Sequence, residues 1–376
     1  MGSISQSHKR QPLELQGHLA SFKAFDCTPV LGTEFPDAKL AEWLQAPNAD
    51  DLIRDLAITI SQRGVVIFRS QVDLTDELQK TLVQKLGELT GKPSDSTWHI
   101  HPLAKYNPTG DSTRHLITTD PKNKPAEDRF RNQAEQPMGV RAAWHTDISY
   151  EPNPADYSCL KMVQLPTNGG GKWPQLPILT PVERHGTMAN AKCANSIEQS
   201  DTLYASSYEV LDKISPAYRK FLETLTATFA QPRYNQSSQE KKSEIHVEPR
   251  GSPNNVGSDL SAIHPVVRTN PVTGWKGLYG AGMHTRRFNE VTADESRRLA
   301  DWLLQMIVEN HDLQFRHSWK NPYDVAIWDN RAVFHAGIMD YKGQGHRTGH
   351  RYVGVGEQPY LDPESKTRRE ALGEFN

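Results

Sequence analysis

Asp324-Val325-Ala326-Ile327-Trp328-Asp329-Asn330-Arg331-Ala332-Val333-Phe334-His335 is the stretch on which the fold turns. Apolar, β-branched and aromatic residues fill both ends, and a charged, polar turn of Asp329, Asn330 and Arg331 divides them. The segment therefore reads as strand, turn, strand. Short runs of the same kind lie at Val65–Phe68, Ser158–Leu165, Trp275–Tyr279 and Arg351–Gly354, with Gly, Pro and Asn turns between them. Amphipathic helices are expected over Asp51–Gln62 and Thr75–Leu89, from the Ser215-Pro216 pair, and from a capping box of Thr292 and Glu295. The alternation is too irregular for a doubly wound parallel sheet. The expectation is one mostly β domain, its strands closed or sandwiched and α-helices packed around them.

Composition narrows the class. The chain has 376 residues, 43 basic and 45 acidic, for a formal net charge of -2. That balance gives no reason to expect nucleic-acid or membrane partners. Cys27, Cys159 and Cys193 are far apart and odd in number, which fits neither a disulfide framework nor a cysteine zinc site. A reducing, cytoplasmic setting is expected. Residues 1–20 carry no apolar stretch and read as a disordered tail, and no run long enough to span a bilayer occurs. No glycine-rich phosphate loop or internal repeat is visible.

His145 and Asp147, in Trp144-His145-Thr146-Asp147, share one face if that segment is extended. Among fifteen histidines such a pair is weak evidence by itself. His335, at the end of the opening stretch, supplies a second imidazole. Two histidines and one carboxylate make a facial triad that leaves positions open for other ligands and favours Fe(II), whereas zinc more often takes three histidines or includes cysteine. Downstream, Arg347 and Arg351 flank Gly349. If this run is extended both guanidinium groups face one way, ready for carboxylates, although Arg351 alone could equally sit on a basic edge facing solvent.

Taken together, the segments resemble the taurine/2-oxoglutarate dioxygenases, a branch of the Fe(II)/2-oxoglutarate oxygenases with a double-stranded β-helix (jelly-roll, cupin-like) core. The matching stretches are His99-Ile100-His101-Pro102, Trp144–Asp147, Asp201–Ser206, His264–Pro271, Asp324–His335 and His350-Arg351, in the family's order. The style of the C-terminal half resembles fungal members. The resemblance implies His145, Asp147 and His335 as iron ligands. It implies that Thr202 and Arg347 hold the distal carboxylate of 2-oxoglutarate, and that His101 and Arg351 grip an anionic substrate. Iron, 2-oxoglutarate and O₂ would together oxidise a substrate C–H bond, yielding succinate and CO₂. For Thr202 and His101 a capping threonine and a loop histidine are the bland alternatives. The expected substrate is a small anion, a sulfonate such as taurine first, released as sulfite and an aldehyde. Aryloxyalkanoates, sulfate esters, xanthine or biosynthetic intermediates are alternatives. So are a catalytically silent metal-binding barrel and a zinc hydrolase. A homo-oligomer is compatible with the sequence but not readable from it.

One departure stands out. In the family a small-residue turn runs directly into the threonine segment, but here residues 171–200 separate Gly169-Gly170 from Asp201-Thr202. Such a long stretch without amphipathic period is unusual beside a site. It is either a surface loop or a translated, unspliced intron, since degenerate codons allow a GT donor at Gly171-Lys172-Trp173 and an AG acceptor at Ser200-Asp201. Deleting Gly171–Ser200 is expected to preserve or improve turnover. A one-residue slip on re-entry would turn Thr202 outward.

Overall fold

The computed structural model describes residues 11–103, 109–120, 140–166, 201–241, 244–338 and 345–374. The insertion at 171–200, with Gly169-Gly170 before it, lies outside them.

The opening stretch folds as strand, turn, strand, and its two strands enter different sheets. Val325–Asp329 belongs to a 7-stranded sheet in the spatial order Phe25–Asp26, Thr33–Phe35, Val65–Phe68, Val325–Asp329, Ala155–Gln164, Thr348–Val355, His115–Thr118. Val333–Gly337 belongs to a 3-stranded sheet, where Thr202–Ser206 runs between it and Gln314–His317. The turn between them is fixed by Asp329, fully buried, which accepts from Arg331 Nε at 2.8 Å, Ser61 Oγ at 2.7 Å and Asn270 Nδ2 at 3.0 Å. A buried carboxylate held by this many donors remains ionised and rigid.

Strand alternation sorts the larger sheet into two faces. Val66, Phe68, Tyr157, Cys159, Val325 and Ile327 pack on the helices Ala49–Arg63 and Asp76–Glu88. Val65, Ile67, Leu160, Met162, Ala326 and Trp328 pack inward against Tyr204 and Val333 of the smaller sheet. Both faces are covered, which is why Val65–Phe68 and Val325–Trp328 are apolar throughout rather than alternating. The site lies on the inner side. Two further 3-stranded sheets, around Thr226–Ala230 and Trp275–Leu278, flank it over a second core that includes Phe229, Leu278 and Leu303.

Helix ends follow their signals. Thr75 accepts from the Leu78 amide, Gly64 (φ 75°) ends the Ala49–Arg63 helix, and Thr292 and Glu295 form the expected capping box of Ala293–Glu309. Ser215 precedes Pro216–Leu222 but makes no side-chain cap, so proline at the first position carries that start. The tail expected over residues 1–20 is tied down in its described part. Leu13 donates to the Val272 carbonyl at 2.8 Å, and the Gln16 and His18 amides donate to Asp55, whose buried carboxylate needs those partners.

Candidate metal and cosubstrate centre

His145 is not in a regular strand. It forms a single antiparallel bridge with His335, donating its amide to the His335 carbonyl at 3.0 Å and receiving the return bond at 2.8 Å. Residues directly opposite in such a pair project to the same face, so the backbone itself brings the two imidazoles together, with ring centroids 4.2 Å apart. Gly282 permits this (φ +93°), because a Cβ there would sit 2.6 Å from the Trp144 carbonyl oxygen. Asp147 was expected one strand step beyond His145, but it opens a turn and is followed by Ile148 in the left-handed region (φ 46°). That turn, held by the Glu151 amide on the Ile148 carbonyl, swings Asp147 back toward the histidines. Its Oδ1 lies 3.8 Å from His145 Nε2 and 3.7 Å from His335 Nε2.

Protonation suits ligation. The His145 Nδ1 lies 2.8 Å from the Ala143 carbonyl, which can only accept, so Nδ1 carries a proton and Nε2 is the ring nitrogen that faces Asp147. Burial, reinforced by His145, drives His335 far below the ordinary imidazole range and keeps it neutral. Burial alone would raise the Asp147 carboxyl, but the charged Arg351 guanidinium, aided by the Ser158 hydrogen bond, outweighs it and holds the group ionised. Ser158 Oγ donates to Asp147 Oδ2 at 2.7 Å, and Asn330, through Oδ1, accepts from the Asp147 amide at 3.1 Å while donating to Ser158 Oγ at 2.9 Å.

The expected cosubstrate residues converge one strand step from His335. Thr202 pairs with Gly337 on one side and His317 on the other, its hydroxyl turned inward to accept from Trp319 Nε1 at 3.2 Å. The register after the insertion is therefore the one in which Thr202 faces the interior. Arg347, only 4% exposed, puts its guanidinium 6.0 Å from the Trp319 ring. Among the described residues a Cβ added at Gly337, an exposed position, would meet nothing within 4 Å, so space is open beside Thr202.

The expected substrate residues lie on the other side of Asp147. Arg351 donates Nη1 to Asp147 Oδ1 at 2.9 Å and Nη2 to His115 Nδ1 at 3.3 Å, while its buried Nε has no protein acceptor among the described residues. His101 packs on His115 (5.5 Å between centroids) and Tyr234 (4.9 Å), and burial, then Arg351, push its pKa down to about 3. Arg141 is exposed.

One donor atom from each of His145, Asp147 and His335 lies within 4.8 Å of the others, the one such group of His, Cys, Asp and Glu among the described residues. Two imidazoles that turn Nε2 toward one ionised carboxylate at this spacing fit a divalent transition metal. A profile described as "Taurine catabolism dioxygenase TauD, TfdA family" matches residues 23–353. The chain belongs to this family.

As a member it is a 2-oxoglutarate-dependent dioxygenase, with 2-oxoglutarate and O₂ as cosubstrates, a metal ion, and a small-molecule substrate. The chain is 47% identical over 363 residues (96% of the chain, 98% of the relative) to the alpha-ketoglutarate-dependent dioxygenase btcD of Neocamarosporium betae. It is 42% identical to oryG of Aspergillus oryzae, another alpha-ketoglutarate-dependent dioxygenase, over 96% of each. The alpha-ketoglutarate-dependent sulfonate dioxygenase of Saccharomyces cerevisiae is 28% identical, over 92% of this chain and 69% of that one. The crystal structure of a taurine dioxygenase from Burkholderia xenovorans superposes with a TM-score of 0.62 at 20% identity, covering 92% of each chain, and shares the fold. No described helix is long and apolar enough to cross a membrane.

Within this TauD-type centre several groups escaped sequence reasoning. Ser158 and Asn330 lie in stretches read as strand and turn, and their hydroxyl and amide carried no periodic signal. His115 reaches the site through sheet pairing, and Trp319 because it follows the paired Gln314–His317 strand.

Proposed function

We propose that this chain is an Fe(II)- and 2-oxoglutarate-dependent dioxygenase that oxidises a small anionic molecule, a sulfonate such as taurine first among candidates. His145, Asp147 and His335 would hold the metal, and the two facing sheets would form the double-stranded β-helix core. Bound iron together with 2-oxoglutarate supplies the O₂-dependent oxidation, releasing succinate and CO₂. The protein's part is positioning and shielding. Arg347 and Thr202 would hold the distal carboxylate, with the charge-assisted contact from Arg347 fixing which way the cosubstrate lies. Trp328 and Tyr204, both buried, pack around His335 and keep water from that side.

The observation that carries the substrate reading is Arg351. Two of its donors are engaged by Asp147 and His115, and the buried Nε–H is left for an anion entering beside the metal ligand. The name of the yeast relative, a sulfonate dioxygenase, supports the same class. The test is an anaerobic titration with Fe(II) and 2-oxoglutarate, followed by a sulfonate screen for sulfite release. A visible charge-transfer band with sulfite from taurine supports the proposal. Tight zinc binding with no 2-oxoglutarate complex would remove it, and a band without turnover of any anion would leave the chemistry and overturn the substrate class.

A further inference from the structure

Around the indole of Trp319 the fold gathers three polar side chains, and only two have been given a task. Trp319 donates to Thr202 at 3.2 Å, lies 6.0 Å from the Arg347 guanidinium carbon, and meets the His317 ring edge-on at 4.5 Å between centroids. His317 is the direct cross-strand partner of Thr202, which in turn opposes Gly337. Gly337, Thr202 and His317 thus make one row across the inner face, the next row after His335, Tyr204 and Phe315.

His317 is 1% exposed, and neither of its ring nitrogens has a hydrogen-bond partner among the described residues. Burying both without a partner is costly, so such a ring is normally matched by something. Burial first, then the cations Arg69, Lys320 and Arg347, keep it neutral, with one N–H to donate. Arg69 is already paired with Glu34 at 2.6 Å and Asp324 at 2.7 Å, which leaves Arg347, on the other side of the Trp319 indole, as the cation nearest the cosubstrate residues. Among the described residues, Gly337, at the exposed end of the row, leaves it open on its other side.

From this placement we infer that His317 is a third holder of the cosubstrate's distal carboxylate, donating to it beside Thr202 and Arg347. The inference rests on the cosubstrate reading proposed above. It also bears on specificity, because a third donor favours a 2-oxo acid that carries a second carboxylate over one that ends in a methyl group.

The test uses the full-length Fe(II) enzyme, titrated anaerobically with 2-oxoglutarate and with 2-oxobutanoate, which lacks the distal carboxylate. Binding is followed by visible absorption and calorimetry. His317→Phe keeps the ring against Trp319 but removes both nitrogens. It should weaken 2-oxoglutarate roughly tenfold or more while leaving 2-oxobutanoate and Fe(II) affinity unchanged, and His317→Gln should recover part of the loss. Unchanged 2-oxoglutarate affinity, or an equal loss for both acids, overturns the assignment in favour of a packing role. If His317→Phe does not fold, His317→Met is read by the same ratio. An unsubstituted enzyme that binds no 2-oxoglutarate sinks the cosubstrate reading and this one with it. A normal complex indifferent to His317→Phe sinks this one alone.

Discussion

His145 and His335 exchange both of their backbone hydrogen bonds, at 3.0 and 2.8 Å, although they lie far apart in the chain. The two imidazoles therefore share a face because of main-chain pairing, and a metal ion is not needed to draw them together. The centre is preorganised, unlike small metal sites whose folding depends on the ion.

Removing metal should accordingly leave the fold intact. Chelation is expected to lower the melting temperature by only a few degrees, since a ligand at about a hundred times its Kd adds roughly 2.7 kcal/mol. Near-ultraviolet circular dichroism of stripped protein is the check. A collapse of the tertiary signal would show that the bridge does not persist alone.

Ser158→Ala removes the donor that orients Asp147 through Oδ2 at 2.7 Å. Metal affinity should fall roughly ten- to a hundredfold, the usual effect of losing a partner of a metal-binding side chain. Metal titration by calorimetry measures it, and wild-type affinity would mean that the Arg351 donor to Oδ1 suffices to hold the carboxylate.

Arg347→Ala and Arg351→Ala should separate. The first is expected to raise the KM for 2-oxoglutarate by about tenfold or more, and the second the KM for the anionic substrate, each with a smaller effect on the other. Arg351→Lys should not rescue, because a single ammonium cannot reach Asp147 and His115 together in the forked geometry seen here. Steady-state kinetics with each substrate varied in turn decides the split.

Gly282→Ala places a Cβ 2.6 Å from the Trp144 carbonyl oxygen at a φ of +93°. Strain and overlap together should cost on the order of 1–3 kcal/mol, read as a lower denaturant midpoint with metal affinity weakened. An unchanged midpoint would show that the Gly280–Met283 segment can move away from His145.

Stability should fall on acidification over a defined window. Burial lowers His99 and His264 to about 4 each, below the 6.5 of a free imidazole. Between those values the unfolded chain binds the extra protons, so their contribution is complete above about pH 6.5 and is lost as pH drops toward 4. Each can contribute up to about 1.4 kcal/mol per pH unit. His264→Asn, whose amide can still donate to the Ser149 carbonyl, should flatten the profile of melting temperature against pH. An identical slope in that variant would assign the acid sensitivity elsewhere.

How much was legible from residues alone can be judged position by position. Asp324–His335 announced two strands and a turn because side-chain type and period are local properties, and the strands formed where expected. The helix starts at Thr75 and Thr292 were legible for the same reason, since a cap needs only its own first turn. The triad residues were nameable from type, spacing and resemblance.

Their convergence was not in the sequence. His145 came to its place through a bridge rather than a strand, and Asp147 through a turn with Ile148 at positive φ, neither of which a two-residue period can encode. That Arg351 leans on Asp147, that Ser158 supports it, and that His317 shares a row with Thr202 all depend on sheet register. Register is set by which distant strands bury their apolar faces against each other, and each segment alone is compatible with several such pairings. The sequence by itself determined the chemical groups and the local elements that carry them. Only the tertiary structure decided which of those groups face one another, because that choice is made by long-range packing.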